Sequence, residues 1–272
     1  MPAARARRLL YVSGFIRAMA TSTAGVAMGG FLGSLDASGT ELGLVISAGL
    51  AGAAVSGVVA TFAADRLGRK RFLVAVSLLG MTGTTAFALS SSPVALAVAA
   101  FLGMVNGMGK DRGAALILEQ AVLPGLTPAG ERTSVIARYT MMLDLGHALG
   151  ALAAGAPVWL ARTTVLTGVA PHRATFLGCA ACGLAAAIVY FRIGSAIEID
   201  ATPRGTLTPR SRAVVVKISS LFALDSLAGG FLTTAMLSFF FIERLTKLIE
   251  PTVDQIVSTT MTLLCIIVGR YS

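Results

Sequence analysis

Charge is scarce in this sequence. Asp, Glu, Lys and Arg make up 13% of its 272 residues, against 55% hydrophobic residues and a mean hydropathy of +0.80. A soluble domain carries roughly twice that charge share. A chain this long can bury a core in water, but not this much apolar sequence, so a fold bathed in water on all sides is excluded. Cysteine is also sparse: Cys179, Cys182 and Cys265 are the three. The first two have Cys-x-x-Cys spacing but lie inside an apolar run, 174–190, where burial disfavours the thiolate that redox or zinc chemistry requires. With two histidines and no second ligand pair, no metal site and no cofactor are expected. Aromatic residues make up 7%, with one Trp. The net charge of +9 is nowhere interleaved with aromatics as a nucleic-acid stacking platform needs. No nucleic-acid partner is expected. Enzyme chemistry has little to stand on either, for there is no nucleophile elbow and no paired histidine. Gly107-Met108-Gly109 lacks the strand that precedes a phosphate loop.

What is present is a series of long apolar runs. About 20 apolar residues cross a hydrocarbon core of ~30 Å. Runs of that kind occupy 9–33, 42–63, 72–90, 94–122, 134–160, 174–191 and 218–241, with a weaker eighth at 253–269 beginning beside Asp254. Without period-two alternation, segments this long in lipid are helices. The start could pass for a signal peptide, because Arg5, Arg7 and Arg8 precede an apolar stretch and Ala18-Met19-Ala20. The apolar character continues through Gly33, however, which favours a first span. The basic residues alternate. Arg5, Arg7 and Arg8 lead the first span; Arg66, Arg69, Lys70 and Arg71 follow the second; Arg132 follows the fourth; and Arg192, Arg204, Arg210 and Arg212 follow the sixth. The gap after the first span has Asp36 and Glu41 without Lys or Arg. Positive charge marks the cytoplasmic side, so the N-terminus is expected in the cytoplasm. Trp159, Tyr11 and Tyr190 stand at predicted span ends, where aromatic belts form.

Between the second and third runs stands Asp65-Arg66-Leu67-Gly68-Arg69-Lys70-Arg71. It is a tight turn: Gly68 permits the backbone it needs, and Asp65 can accept from helix amides or pair with the cations. By themselves these residues are a positive cytoplasmic loop. In this slot they resemble the signature loop of the major facilitator superfamily, D-[RK]-x-G-[RK]-[RK] between its second and third helices. Thr61 departs from the pattern, which has Gly four residues before the Asp. Leu118-Glu119-Gln120, Leu123-Pro124 and Glu131-Arg132-Thr133 resemble the family's fourth-helix end and the loop that follows. The resemblance implies a charge relay among Asp65, Arg69 and Glu119. The family's usual Arg early in the fourth helix is missing; Ala100 stands about there. Gly146, Gly150 and Gly155 near Pro157 faintly resemble the antiporter motif, with Ala151 where that motif has Pro. Such glycines are also ordinary helix-packing surfaces.

The implied fold is an all-α membrane protein, a major-facilitator-like helical bundle. A complete member has two six-helix bundles with the solute between them. This chain is expected to hold seven to eight transmembrane helices and an incomplete second bundle. Its expected domains are a first bundle over 1–192, a cytoplasmic linker over 193–216, and the start of a second bundle over 217–272, truncated or divergent after about residue 244.

Ionisable groups at membrane depth are costly unless they face water or partners, so each calls for a reason. Arg17 lies in the first span, Lys110, Asp111 and Arg112 in the fourth, Asp144 and His147 in the fifth, and Asp225 in the seventh. The resemblance implies that these helices line or flank a central cavity. Three roles stand open. Arg17, Lys110 and Arg112 can hold an anionic solute; Asp144 beside His147, Asp111 or Asp225 can carry a coupling proton; or the groups brace the bundle by pairing. His172 falls in a predicted outer loop. The expected activity is secondary active transport of a small solute by alternating access, with lipid, an anionic solute and protons as partners and the plasma (inner) membrane as its multi-pass location. The alternative is a non-transporting fragment or a regulatory partner of an intact transporter.

Overall fold

A computed structural model of the chain describes residues 2–110, 113–194, 197–198, 208–230 and 233–241. Among them the backbone forms ten α-helices and two short 3-10 turns, with no strand. The first three are α1 (Pro2–Gly33), α2 (Gly39–Leu67) and α3 (Arg69–Leu89). A capping box fixes the start of α2: the Glu41 amide donates to Ser38 Oγ at 3.3 Å, and the Ser38 amide donates to the Glu41 carboxylate at 2.8 Å. Gly68 ends it with φ 88°, a left-handed value that disfavours any side chain.

The fourth span is not the continuous helix expected over 94–122. It is split into α4 (Pro93–Gly103) and α5 (Ala114–Val122), and Met104 leaves α4 in the left-handed region at φ 54°. The composition accounts for the break. Gly107, Gly109 and Gly113 weaken a helix, and Asn106 offers the backbone alternative partners. The Met108 amide donates to Asn106 Oδ1 at 3.2 Å, and Asn106 Nδ2 donates to the Lys110 carbonyl at 3.4 Å. Lys110 is therefore an exposed residue of an irregular segment and not a mid-helix charge. Asp111 and Arg112 lie outside the described residues.

The fifth span comprises α6 (Arg132–Ala153) and α7 (Ala156–Thr163), with Pro157 in the first turn of α7. The sixth is α8 (Ala170–Arg192). Helix α9 (Pro209–Gly230) begins inside the stretch expected to be linker, and α10 (Thr234–Phe240) follows. The eighth apolar run lies outside the described residues. By length and composition four helical stretches among the described residues can each cross a bilayer: Gly39–Leu67, Arg69–Leu89, Ala129–Thr163 and Ala170–Arg192. Arg17 and a run of Ser and Thr dilute α1, and the fourth span is broken, so neither of these two expected crossings is an uninterrupted apolar helix.

Helix α1 packs against α6, α8 and α10, while α3 packs on α4 and α8, and α2 on α4 and α5. The α1–α6 contact is close because α6 presents glycine. A Cβ added at Gly150 would stand 2.2 Å from the Met19 carbonyl oxygen, and one at Gly146 2.6 Å from that of Phe15. Both glycines thus serve helix packing, whereas Gly155 lies at the α6–α7 junction. Less than half of each of the four spanning stretches is buried. Val58, Phe62, Leu152 and Trp159 point outward, as expected where lipid is the solvent.

Two apolar clusters fill the interior. One gathers Leu10, Leu73, Leu118, Tyr139, Ala186 and Tyr190; the other gathers Met28, Phe31, Phe87, Leu96 and Phe176. Phe31, Phe87 and Phe176 form a mutual triad with centroids 5.0–5.6 Å apart. His172 is not a loop residue: it sits in the first turn of α8, half-buried and stacked on Phe31 at 6.3 Å.

Candidate functional site

Ser13 and Arg17 are one helical turn apart on α1 and share its inward face. Helix α5 buries Ala115, Leu118, Glu119 and Val122 along one stripe, which aims Glu119 at that face. Glu119 is 0% exposed. Its carboxylate accepts from Ser13 Oγ at 2.5 Å, Arg17 Nη1 at 2.8 Å, Tyr139 Oη at 2.5 Å and Tyr190 Oη at 2.8 Å. Arg17 Nη1 also donates to the Tyr190 hydroxyl. Side chains from α1, α5, α6 and α8 thus converge on one carboxylate. A buried ion is tolerable only when paired and hydrogen-bonded, and this one has both.

The expected relay among Asp65, Arg69 and Glu119 is therefore corrected. Glu119 is turned into the bundle toward Arg17, and Asp65 pairs with Arg69 one turn away at 3.1 Å. Tyr190 likewise is no belt residue, being fully buried with its hydroxyl in the hub. Tyr11 donates to the Val135 carbonyl at 3.3 Å.

Beside the hub lies a cavity of about 120 Å³. Its walls come from α1, α3, α8 and the interruption between α4 and α5, and they include Arg17, Ser77, Asn106 and Cys179. Most of the lining is apolar or glycine. Among the described residues of the wall Arg17 is the one that carries charge, with 12% of its side chain exposed. Ser77 is 7% exposed, and its hydroxyl has no hydrogen-bond partner among the described residues. A buried hydroxyl left unsatisfied is costly. The irregular backbone alongside is held elsewhere: the Ala235 amide donates to the Gly107 carbonyl at 2.9 Å, and Thr234 Oγ1 to the Met108 carbonyl at 2.9 Å.

A second polar junction sits at the α2–α3 turn. Beyond its pair with Arg69, the turn is clasped by Glu198, whose carboxylate accepts from the backbone amides of Arg69 at 2.9 Å and Lys70 at 3.1 Å. That places an anion on the N-terminus of α3, where the helix dipole favours it. Glu198 Oε1 would stand 3.0 Å from a Cβ at Gly68, a tight approach that the carboxylate could relieve, so it is the φ of 88° that favours glycine here. Lys70 lies over the Phe191 ring at 5.1 Å. Arg66, Arg71 and Arg132 are exposed, and Arg7 pairs with Glu131 at 3.7 Å.

Of the other expected site residues, Asp144 is exposed on α6 and His147 half-buried, and neither lines the cavity. Asp225 lies in α9, but its side chain is outside the described residues. Among the described residues no group of His, Cys, Asp and Glu could hold a metal ion. Sequence reasoning missed Ser13, Ser77, Tyr139 and Glu198. Serine and tyrosine in an apolar run carry no signal until helix rotation is known. Glu198 could have been weighed, as an acid in a basic linker.

A family model described as Major Facilitator Superfamily matches residues 10–270. The match runs past residue 244, after which the sequence motifs suggest truncation or divergence. A curated protein of Saccharomyces cerevisiae (strain ATCC 204508 / S288c), "Uncharacterized membrane protein YJR124C", is 24% identical over 273 residues, covering 88% of this chain and 61% of that protein. The chain thus spans less than two thirds of that relative's length.

Proposed function

The chain belongs to the major facilitator superfamily, and from that premise we propose that it takes part in secondary active transport of a small solute by alternating access. The interruption between α4 and α5 carries this reading. Irregular backbone at membrane depth is tolerated only where protein buries it or a polar cavity lies beside it, and transporters build solute sites from such broken helices. Here the break borders a cavity whose described wall includes the Arg17 guanidinium. Arg17 makes an anionic solute the best match, because a planar guanidinium pairs with carboxylate or phosphate in two-pronged fashion. The α2–α3 turn, with Asp65, Gly68, Arg69 and Glu198, acts as a latch that opens and closes with the transport cycle. The protein sits in the plasma (inner) membrane with its N-terminus in the cytoplasm, as the basic residues of the alternate loops favour.

Reconstituting the chain in liposomes and following small organic anions, cations and neutral solutes tests the activity. Saturable flux of an anion is expected, reduced at least tenfold by Arg17→Gln in protein that still extracts as a folded monodisperse species. Absence of saturable flux for every solute class would contradict transport by this chain and favour a fragment or partner role.

A further inference from the structure

We propose that the cavity holds a site for one soft monovalent cation, Cu(I), with Met81, Met104 and Cys179 as its donors. All three residues line the cavity, and they come from α3, the end of α4 and α8. Glycines bring those helices together here. A Cβ added at Gly83 would stand 2.2 Å from the Gly103 Cα, so α3 and α4 touch backbone to backbone. One added at Gly183, a turn beyond Cys179 on α8, would stand 3.4 Å from the Met81 Cα and Cβ. The Met104 Cε lies 3.9 Å from one added at Gly80, the residue before Met81. Two thioethers thus enter the cavity at the α3–α4 contact, and α8 sets Cys179 one turn from its contact with Met81. Methionine elsewhere is often a gap-filler. Met104, however, leaves α4 at φ 54°, a left-handed position where Gly or Asn is usual. A long side chain is kept there against its steric cost, and it lines the cavity.

The donor set chooses the metal. Thioether and thiolate are soft ligands that select Cu(I), whereas magnesium and calcium take oxygen donors. Zinc asks for a closed tetrahedral shell, which these residues do not fill. On binding, the Cys179 Sγ–H bond breaks as the Cu–Sγ bond forms, and the proton leaves to water. Each thioether donates a lone pair, and the metal stays Cu(I) throughout. One positive charge enters and one leaves, so the charge of the cavity is unchanged whatever other groups stand near it. That balance matters at membrane depth, where added charge is costly, and beside Arg17, which repels an uncompensated cation. Among the described residues of the wall, Arg17 from α1 is the charged group and Cys179 the group that gives up a proton; α3, α4 and α5 bring no titratable side chain to it. Ser77, one turn before Met81 on α3, is 7% exposed, and its hydroxyl has no partner among the described residues. It can donate to the new thiolate and orient it. The site shares the cavity with the anionic solute proposed above but does not depend on it.

The test uses the purified full chain in lipid nanodiscs, titrated without oxygen with Cu(I) against a coloured Cu(I) chelator. Ag(I) serves as a redox-inert substitute, and Zn(II) and Mg(II) as controls. The chain should draw a single Cu(I) from the chelator, displaced by Ag(I) but not by Zn(II) or Mg(II), with sulfur neighbours in the X-ray absorption spectrum. Cys179→Ser should abolish that binding. Met81→Leu and Met104→Leu, which nearly keep side-chain volume, should each weaken it about tenfold or more. Cys182→Ala and Cys265→Ala should bind as the parent does. A second measurement keeps the native donors in place: in the chain carrying Cys182→Ala and Cys265→Ala, Ag(I) should slow modification of Cys179 by a small methanethiosulfonate, and adding Met81→Leu should remove that protection. Equal binding by Cys179→Ser or by both leucine variants would overturn the site, as would failure to draw Cu(I) from the chelator. Saturable anion flux without Cu(I) binding would overturn the site and leave the transport reading in place. Cu(I) binding at these donors without anion flux would support the site and count against that reading instead.

Discussion

Glu119 and Asp65 are both carboxylates paired with an arginine, yet their surroundings give the two pairs different work. Glu119 is 0% exposed and receives four donors from three helices besides its own, while its partner Arg17 is 12% exposed. Asp65 is 37% exposed, and its bond to Arg69 joins positions one turn apart. An exposed pair of that kind contributes about 0.2–1 kcal/mol. A buried pair that loses one member costs about 3–5 kcal/mol, because the survivor is left charged and unpaired. Removing one member of the hub is therefore expected to cost far more than removing one member of the pair at the turn. What fastens the turn is Glu198, which grips backbone amides and so can let go without leaving a buried ion behind.

The comparison can be broken at its strongest point first. Arg17→Ala should destabilise the protein by about 3–5 kcal/mol, read as loss of the folded fraction on graded denaturation in detergent. Glu119→Ala should cost a similar amount, and the double substitution less than the sum, since it removes both charges at once. Additive losses would show that the pair is not coupled. Tyr190→Phe comes next: it removes one hydroxyl from the hub and should cost about 1–3 kcal/mol by the same measurement. At the turn, Glu198→Gln should leave stability within about 1 kcal/mol while accelerating exchange of the Arg69 and Lys70 amides with deuterium. Asp65→Asn should have the smallest effect on stability, below about 1 kcal/mol. If Asp65→Asn proved more damaging to folding than Tyr190→Phe, the ranking of hub over turn would be wrong.

Part of this is legible in the amino-acid sequence. The all-helical membrane fold follows from apolar runs too long for water to accommodate, and the turn at Asp65 follows from its letters and its slot. Arg17 drew notice because an ion at membrane depth demands a reason. Glu119 drew notice too, but as the wrong partner. Its neighbours are fixed by which way α5 faces, and Ser13, Arg17 and Tyr190 lie 106, 102 and 71 positions away in the chain. Tyr190 misled because the end of an apolar run suits an aromatic belt equally well. The α4–α5 interruption was visible only as a glycine pair, since hydropathy over 94–122 does not register a backbone that stops being helical. Ser77 had no signal at all; a lone serine in an apolar helix becomes informative only when its hydroxyl is seen beside a cavity without a partner among the described residues.

Ser77 also offers the most direct test of transport through this cavity. A single cysteine placed there, Ser77→Cys, in a chain carrying Cys179→Ala, Cys182→Ala and Cys265→Ala, can be challenged with a small membrane-impermeant thiol reagent from either face of sealed vesicles. Alternating access predicts reaction from both faces, slowed from each by an occupying carboxylate. Reaction from one face alone, or from neither, would contradict it.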